Sequence, residues 1–414
     1  MATILTIISL IAIIQSIYNI YLMLYYWNTP ISNENINYQN SIFKKSFTIL
    51  VPAYKEEKVI AQTIESMSRI NYPRSKTQVI ILLRKEDEKT IEVASKKIID
   101  LNIENIKILL VQDSLRNKPN QLNWGLKIAT GDIVTIFDAE DEASPEVLNV
   151  VNAKFQYENL DILQNSVQLI DYDTNWFSLL NCLEYFFWFK SSLRFFANHG
   201  LMPLGGNSVF IKREILNQYG GWDENCLTED ADLGIRLGYK NYKISTINIP
   251  SLTTLEETPV TTSEFIRQRS RWIQGFVQII LKLDWLKLPS LKKGLIALYI
   301  ITWPLIQASL VFFVIISFVS IFFIKTNVWV ALFMIIPMLL LIIQLIYLLL
   351  GFYLMCKEYK LKYKIIFNLY LILAFIPYQL IITYSIARAA YRAITLETSW
   401  EKTLHTNQHR EKSI

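Results

Sequence analysis

The chain has 414 residues, enough for one large domain or two ordinary ones, and 52% of its residues are hydrophobic, more than a soluble protein needs. Its formal net charge of +5 is modest, and no zinc-ligand spacing or basic–aromatic repeat occurs. These features exclude a nucleic-acid-binding protein and favour affinity for a membrane surface. Cys182, Cys226 and Cys356 are scattered and odd in number, so we expect no disulfide framework and a cytosolic environment.

Much of the apolar composition is concentrated in four segments. Residues 1–27 contain an uncharged run long enough to span a bilayer, without a basic start or a small-residue cleavage site, so we expect an anchor rather than a signal peptide. Three more apolar blocks follow: Leu295–Ile324, Val328–Met355 and Ile365–Ala387. The sequence predicts a multi-pass integral protein of the plasma or inner membrane. Its cytosolic domain, 41–288, would precede a transmembrane bundle, 295–390, and a cytosolic tail, 391–414.

Two stretches have the composition of interfacial helices, at about 175–198 and about 275–292. The first is crowded with aromatic residues and is either core or a bilayer-facing surface; the second combines Trp285 with four lysines. The basic run Lys357–Lys364 should be cytoplasmic, and so should the basic-rich tail, which a third crossing would place outside. We therefore expect Pro377 to break the last apolar block into a re-entrant hairpin, with a single kinked span as the alternative.

Strands alternate with helices along the cytosolic domain. The patterns predict helices at Lys58–Arg69 and Thr90–Asp100, a strand at Gln78–Leu83 and another at Ile133–Phe137. The strands are continuous apolar runs, which is typical of an α/β fold with a mostly parallel sheet covered on both faces. In such sheets, ligands bind beyond the carboxyl ends of the strands.

Polar residues stand at each of these strand ends. Glu56, Glu86 and Asp87 suit the hydroxyls of a ribose and the edge of a base, and Lys118 offers a charge to a phosphate. After the fourth strand, carboxylates crowd together in the run Asp138, Glu140, Asp141 and Glu142. Such a cluster is either a solvated acidic turn or a site for Mg²⁺ or Mn²⁺, which share oxygen ligands with phosphates.

No P-loop and no GxGxxG motif occurs in the chain. With no glycine-rich loop to cradle phosphates, a metal held by Asp138, Glu140 and Asp141 together with Lys118 is the expected way to neutralise a diphosphate. Alternatively, Lys118 is an ordinary surface lysine.

Seven short motifs follow one another in the domain: "VPAYKEE", "EDEKT", "KPNQLNWGL", "FDAED", "LGGNSVFIKREIL", "LTEDADLGIRL" and "QRSRW". In this order and spacing they resemble the membrane-embedded family-2 glycosyltransferases, the group of processive polysaccharide synthases like cellulose synthase and chitin synthase. The resemblance implies a Rossmann-like GT-A fold, a nucleotide-sugar donor, a divalent metal (Mg²⁺ or Mn²⁺) and inversion at the anomeric carbon.

The resemblance also implies roles for individual residues. Asp230 of "TED" would be the general base, with Glu229 beside it, and Asp138 and Glu140 would hold the metal and diphosphate. The donor-binding residues would be Ala53, Tyr54, Glu56, Glu86, Asp87, Lys118, Asp138, Gln268, Arg271 and Trp272. The acceptor-binding residues would be Trp272, Gly206, Asn207 and Glu229.

Two residues depart from the family pattern. Glu86 and Glu140 each replace an aspartate, and the longer side chain of Glu140 would shift the metal, so whether Glu140 or Asp141 binds it stays open. Some residues also have simpler interpretations: Asp230 and Asp232 as helix caps, and Glu256 in a solvated loop.

The sequence therefore predicts inverting, metal-dependent transfer of a sugar, from a UDP-sugar, to a growing polysaccharide at the bilayer. One alternative is transfer of a single sugar to a lipid or lipid-linked acceptor. Another is an inactive nucleotide-sugar-binding subunit of a synthase complex. The sequence does not set the sugar, the linkage, the acceptor or the oligomeric state.

Overall fold

The computed structural model describes residues 2–28, 42–323, 327–395 and 397. Its strands are β1 (Phe47–Ala53), β2 (Thr77–Arg84), β3 (Ile106–Val111), β4 (Ile133–Ile136), β5 (Ile162–Asn165), β6 (Val167–Leu169), β7 (Val209–Lys212), β8 (Ile244–Ile247) and β9 (Thr254–Glu256). Its helices are α1 (Ala2–Asn28), α2 (Ile60–Ser68), α3 (Glu88–Leu101), α4 (Lys118–Ile128), α5 (Val147–Tyr157), α6 (Ser178–Phe187), α7 (Leu193–Asn198), α8 (Arg213–Gln218), α9 (Glu229–Leu237), α10 (Thr262–Lys282), α11 (Leu291–Phe323), α12 (Val328–Glu358) and α13 (Ile366–Ile394).

A seven-stranded sheet forms the centre of the domain, in the order β3-β2-β1-β4-β7-β5-β8. All pairs are parallel except the two made by β7, which runs antiparallel to β4 and β5. Every residue of β1 and β4 is buried, as expected for central strands covered on both faces. The predicted α/β class and mostly parallel sheet are confirmed.

The chain reverses its direction of winding between β1 and β4. From β1 the chain moves outward to β2 and β3, and it then returns to place β4 on the other side of β1. Phe47 pairs with Ile133 and Leu50 with Ile136, so the loops after Ala53 and after Ile136 leave the sheet side by side. This is the crevice where α/β sheets bind ligands.

Two sets of side-chain to backbone hydrogen bonds fix the loops at this crevice. The side chain of Asn117 accepts the backbone N–H of Asn120 (3.0 Å), an N-cap that starts α4 with Lys118 at its first position. The side chain of Gln121, one turn along, donates to the carbonyls of Ala53 and Leu82, which joins the ends of β1 and β2.

Three helices among the described residues are long and apolar enough to cross a membrane: Thr6–Asn28 of α1, α12 and α13. The first predicted C-terminal block forms α11, apart from Ile324, which lies outside the described residues. The last block is a single helix that continues through Pro377, so the expected break into a re-entrant hairpin is wrong. A proline inside a helix removes one backbone hydrogen bond, which packing on both sides of it can offset.

The two predicted interfacial segments have different outcomes. The first is helical from Ser178 to Asn198, with a π-helical turn at Trp188–Ser192, and most of its side chains are buried against α1, α12 and the sheet. The second is not one helix. It comprises the end of α10, a 3-10 turn at Asp284–Lys287 and the start of α11. Whether either segment touches the bilayer stays a prediction, and most of the predicted tail, 398–414, lies outside the described residues.

Candidate active site

A cavity of about 590 Å³ opens at the carboxyl ends of β1 and β4 and extends between the C-terminal helices. Most of the predicted site residues lie in its wall, although they come from distant parts of the chain. Those residues are Ala53, Tyr54, Glu56, Lys118, Asp138, Glu140, Gly206, Asn207, Glu229, Asp230, Gln268, Arg271 and Trp272. Three predicted residues, Glu86, Asp87 and Asp141, do not line it.

Asp230 is held in the cavity wall at the start of α9. Its Oδ2 accepts the backbone N–H of Gly206 (2.7 Å), and its Oδ1 accepts the N–H of Ala231 (2.7 Å). Burial raises the pKa of Asp230, although these N–H groups and the charge of Lys118 act in the other direction. Asp232 faces away from the cavity and pairs with Arg236 and Lys282, so the two aspartates have different roles.

Lys118 connects this carboxylate to the acidic loop after β4. Its Nζ lies 2.5 Å from Asp138 Oδ1 and donates to the carbonyl of Gly206 (2.9 Å). Burial alone would lower the pKa of Lys118, but Asp138, Glu229 and Asp230 together hold it above its ordinary value. Burial and the neighbouring Asp230 raise the pKa of the buried Glu229. Lys118, together with Arg271 beside Glu229, therefore offsets the charge of these carboxylates.

Gly206 lies in close contact with both charged groups. A Cβ atom at this position would lie 3.2 Å from Asp230 Oδ2 and 3.5 Å from Lys118 Nζ. Its N–H and C=O bind the two charged groups directly, so the backbone at Gly206 fixes Asp230 relative to Lys118.

The acidic loop divides its carboxylates between the cavity and the protein interior. Asp138 and Glu140 line the cavity, whereas Asp141 is fully buried and accepts the N–H of Asp138 (2.7 Å) and the amide of Asn207 (2.8 Å). Burial and the nearby Glu256, Asp138 and Glu140 raise the pKa of Asp141 well above its ordinary value.

This division bears on the predicted metal. Within the described residues, no group of three or more His, Cys, Asp or Glu side chains is arranged to hold a metal ion. Asp138 and Glu140 nevertheless offer carboxylate oxygens to the cavity, which are the ligands that Mg²⁺ and Mn²⁺ prefer and complete with phosphate oxygens. The carboxylates of Asp138 and Glu140 therefore fit a divalent metal whose other ligands include diphosphate oxygens.

The second predicted motif lies at the rim rather than in the cavity. Glu86 Oε1 pairs with the Nε atoms of Arg84 (3.3 Å) and Arg116 (3.2 Å), and these two arginines line the cavity instead. Asp87 Oδ2 accepts the backbone N–H of Lys55, which has a positive φ of 56°. Asp87 thus holds the turn that carries Tyr54 and Glu56.

The "QRSRW" motif lies on α10, whose N-cap Thr261 accepts the N–H of Glu264 (3.2 Å). Gln268, Arg271 and Trp272 are three and four residues apart, so they share the helix face that lines the cavity. The side-chain oxygen of Gln268 is buried without a hydrogen-bond partner among the described residues.

Sequence reasoning missed several residues of the cavity. Glu256, left open as a solvated-loop residue, lines it and accepts the amide of Asn207. Arg269 lies within "QRSRW", where it stacks 4.8 Å from the Trp272 ring centroid and donates to Glu184. The segment around Glu184 was left open between core and a bilayer-facing surface, and nothing in the sequence indicated that Glu184 meets Arg269.

The cavity changes character at its membrane end. Two amide pairs stand there, Asn19 with Gln344 (3.2 Å) and Gln307 with Gln379 (2.8 Å), each joining two helices. Around them the wall is apolar or aromatic, with residues that include Met23, Trp303, Leu341, Leu348 and Phe375. A polar reaction centre is therefore continuous with a mainly apolar space between the helices.

Comparison with known proteins gives the family. The model of "Glycosyltransferase like family 2" matches residues 45–275, more than half of the chain and almost all of the domain that builds the cavity. The protein belongs to this family. The order of motifs predicted this family. The narrower assignment to the cellulose-synthase-like and chitin-synthase-like group stays a prediction.

Curated relatives in the family have several activities in their names. The chain is 26% identical over 250 residues to the probable glycosyltransferase YdaM of Bacillus subtilis, covering 57% of this chain and 56% of that protein. It is 28% identical over 236 residues to a beta-monoglucosyldiacylglycerol synthase of Trichormus variabilis, covering 56% and 49%. It is 23% identical over 299 residues to a poly-beta-1,6-N-acetyl-D-glucosamine synthase of Staphylococcus epidermidis, covering 69% and 66%. The chain thus spans about half the length of the first two relatives.

One solved structure resembles nearly the whole glycosyltransferase. It is the mannosyltransferase PcManGT from Pyrobaculum calidifontis, in complex with GDP-Man and Mn²⁺. The TM-score is 0.56 at 16% sequence identity, and the match covers 94% of this chain and 99% of that one. At this identity the likeness shows the fold alone, and it confirms the predicted GT-A fold.

Proposed function

We propose that this glycosyltransferase transfers a sugar from a UDP-sugar, with a divalent metal and with inversion, to an acceptor hydroxyl at the membrane. The observation that carries the proposal is the chain of contacts Asp230–Gly206–Lys118–Asp138, which joins the proposed base to the residues proposed to bind the metal and diphosphate within one cavity. An inverting displacement needs both groups, on opposite faces of the sugar.

The donor end of the cavity supplies groups for each part of a nucleotide-sugar. Tyr54 and Glu56 follow β1, where the nucleoside would lie, and Lys118 and Arg271 offer positive charge to the diphosphate. Mg²⁺ or Mn²⁺ held by Asp138 and Glu140 would stabilise the negative charge that develops on the departing nucleotide. Trp272 offers a ring face on which the apolar side of a sugar would stack.

Asp230 is the proposed general base. Two backbone N–H groups fix its oxygens, and a raised pKa makes it a better proton acceptor than an exposed aspartate. As the acceptor oxygen forms its bond to the anomeric carbon, the proton of that hydroxyl moves to an Asp230 oxygen. The bond from the same carbon to the diphosphate oxygen breaks, and the nucleoside diphosphate leaves with that electron pair. Glu229, Gly206 and Asn207 are proposed to position the acceptor.

We propose a growing polysaccharide as the acceptor. The two amide pairs and the aromatic residues of the membrane end would bind sugar hydroxyls and sugar faces. A second candidate, a lipid or lipid-linked acceptor that receives one sugar, is favoured by the apolar side chains Leu341, Leu348 and Phe375 in the same wall. In either case we propose that the catalytic domain lies on the cytoplasmic side of the plasma or inner membrane.

The proposal is tested on purified protein in nanodiscs, with UDP- and GDP-sugars and with Mg²⁺, Mn²⁺ or chelator. Nucleotide release and product length are followed, and the anomeric configuration of the product is determined by NMR. We expect metal-dependent release that falls by about 10²–10⁴-fold in Asp230→Asn. Asp100→Asn, an exposed aspartate at the end of α3, is the matched control. Donor binding without release from any donor would instead support an inactive subunit that needs a partner.

Product length separates the two acceptors. A polysaccharide synthase gives a ladder of lengthening products, and replacing Gln307 and Gln379 with leucine should shorten that ladder. A product that stops at one added sugar on an extractable lipid would establish the second candidate. Retention of configuration would contradict the proposed mechanism for either acceptor.

A further inference from the structure

Arg269, the second residue of "QRSRW", lies between two aromatic rings of α10. Its guanidinium carbon is 4.9 Å from the ring centroid of Phe265 and 4.8 Å from that of Trp272. The three residues are four and three positions apart, so they follow one another along one side of the helix. A cation over the face of an aromatic ring is attracted by the negative charge of that face. The position of Arg269 therefore bears on the orientation of the Trp272 ring.

Contacts from outside α10 determine where Arg269 lies. Its Nη2 donates to Glu184 Oε2 (2.5 Å) and to Asn181 Oδ1 (2.6 Å), both on α6, and lies 3.4 Å from the Tyr378 hydroxyl on α13. Burial alone would lower the pKa of Arg269, but the nearby Glu184 holds it above its ordinary value. The guanidinium is mostly buried, and a buried charge is costly without an opposite charge beside it. Glu184 therefore fixes Arg269 in its place between the two rings.

Glu184, Arg269 and Trp272 all line the cavity, in the part where the reaction centre meets the membrane end. Arg269 contacts Tyr378 there, and the next residue along α13, Gln379, belongs to one of the two amide pairs of the membrane end. An acceptor that extends from the membrane end to the reaction centre would therefore meet this ion pair and the Trp272 ring.

The angle of the Trp272 ring decides how a stacked sugar presents its hydroxyl, and small misplacements of reacting atoms cost much of the rate. We propose that Glu184 is a positioning residue for the acceptor. It holds Arg269, and Arg269 holds the Trp272 ring at the angle at which an acceptor sugar presents its hydroxyl to Asp230. Glu184 itself takes no part in proton transfer or in donor binding. The inference rests on the proposed function, because it requires that an acceptor sugar stacks on Trp272.

Glu184→Gln tests this role, because it keeps the size of the side chain and removes its charge. The matched control is Glu65→Gln on α2, an ion-paired glutamate of similar exposure (36% against 31%) that does not line the cavity. In nanodiscs, binding of UDP with Mn²⁺ is measured by titration calorimetry, and sugar incorporation into product is followed separately. For Glu184→Gln we expect UDP affinity within about twofold of wild type and sugar incorporation slower by roughly tenfold or more. Glu184→Asp, which keeps the charge, should recover part of that rate, and Glu65→Gln should match wild type.

A double-mutant cycle tests whether Glu184 acts through Trp272. In an enzyme that already carries Trp272→Ala, adding Glu184→Gln should lower the rate by less than about twofold, since the ring that Glu184 positions is gone. Equal effects in the two backgrounds would show that Glu184 acts elsewhere and would overturn the inference. Loss of UDP binding in Glu184→Gln would also overturn it, because the ion pair would then support the fold or the donor site.

The Trp272 ring is observed directly in protein labelled with 5-fluorotryptophan, and its fluorine resonance is assigned from Trp272→Phe. We expect Glu184→Gln to shift or broaden this resonance and Glu65→Gln to leave it in place. An unchanged Trp272 resonance in Glu184→Gln would refute the inference at any level of activity. Wild-type protein that transfers no sugar from any donor would contradict the proposed function and, with it, the acceptor role of Glu184. The fluorine spectrum separates that failure from a failure of Glu184 to position the ring.

Discussion

Replacing Lys118 with glutamine tests whether one lysine sets the ionisation of the carboxylates around the base. A Cβ on Gly206 would lie 3.2 Å from Asp230 Oδ2 and 3.5 Å from Lys118 Nζ, so these charged atoms are at most about 7 Å apart. At an effective dielectric constant of about 20, unit charges about 7 Å apart attract each other by roughly 2 kcal/mol. Loss of this attraction should raise the pKa of the Asp230 carboxylate by roughly one to two pH units.

The direction of the shift follows from the proposed role of Asp230 as the general base. A general base must be ionised to accept a proton, and burial already raises the pKa of both Asp230 and Glu229. Without the cation the protonated form is favoured further, so activity should be lost at a higher pH as the medium is acidified. Because the two carboxylates interact, the apparent pKa belongs to the pair.

The assay is the pH dependence of kcat/KM for nucleotide release, whose acid limb reports groups of the free enzyme. Lys127→Gln is the matched control, since Lys127 lies on the same helix but is exposed and stacks over Trp124. We expect the acid limb of Lys118→Gln to move upward by roughly one to two pH units while that of the control stays in place. A lower kcat/KM with an acid limb that has not moved would refute the electrostatic argument. Lys118 would then act in donor binding only.

Three further substitutions probe the framework. Gly206→Ala would press a methyl group against the base and the lysine, so we expect kcat/KM for nucleotide release to fall by about tenfold or more. Gly275→Ala would place a Cβ 2.8 Å from the backbone nitrogen of Thr228, and overpacking there should lower the free energy of unfolding by about 1–3 kcal/mol in denaturant titrations. Asp141→Ala leaves the Asp138 N–H and the Asn207 amide without their carboxylate, so titration calorimetry should show weaker Mn²⁺ binding with donor present.

Gly294→Ala is the control for these substitutions. A Cβ has room at this helical position, so activity and stability should stay unchanged. A Gly206→Ala enzyme with wild-type kinetics would mean that the backbone here does not fix the base. Unchanged Mn²⁺ binding in Asp141→Ala would show that the loop after β4 keeps its shape without that carboxylate.

Much of the site was predictable because parallel strands bring their carboxyl ends to one edge. Asp138 follows β4, and Ala53 and Tyr54 follow β1, so an apolar run followed by polar residues was sufficient to group them. The residues of "QRSRW" were predictable for another reason. Their helical spacing places Gln268, Arg271 and Trp272 on one face wherever the helix lies.

Other positions depend on contacts that sequence patterns do not show. Glu256 belongs to β9, which pairs with β6 in a separate two-stranded sheet, and the backbone of its neighbour Leu255 bridges to Glu142 of the acidic loop. This long-range pairing brings Glu256 beside Asn207. Glu86 lies at the rim of the cavity because it pairs with Arg84. The Arg84 side chain is almost fully buried, and a buried guanidinium needs an acceptor nearby.

The acidic run after β4 is tolerated because its carboxylates have different surroundings. Asp138 pairs with Lys118, Asp141 turns inward to accept two N–H donors, and Glu142 is joined through its backbone to β9. Of the four, Asp138 and Glu140 line the cavity, so the repulsion between them is the part that a bound cation would relieve. The longer glutamate at position 140 is compatible with the proposed metal site, because Asp141 holds the loop from the interior while Glu140 lines the cavity. The replacement of aspartate by glutamate is therefore not, by itself, a reason to regard the site as inactive.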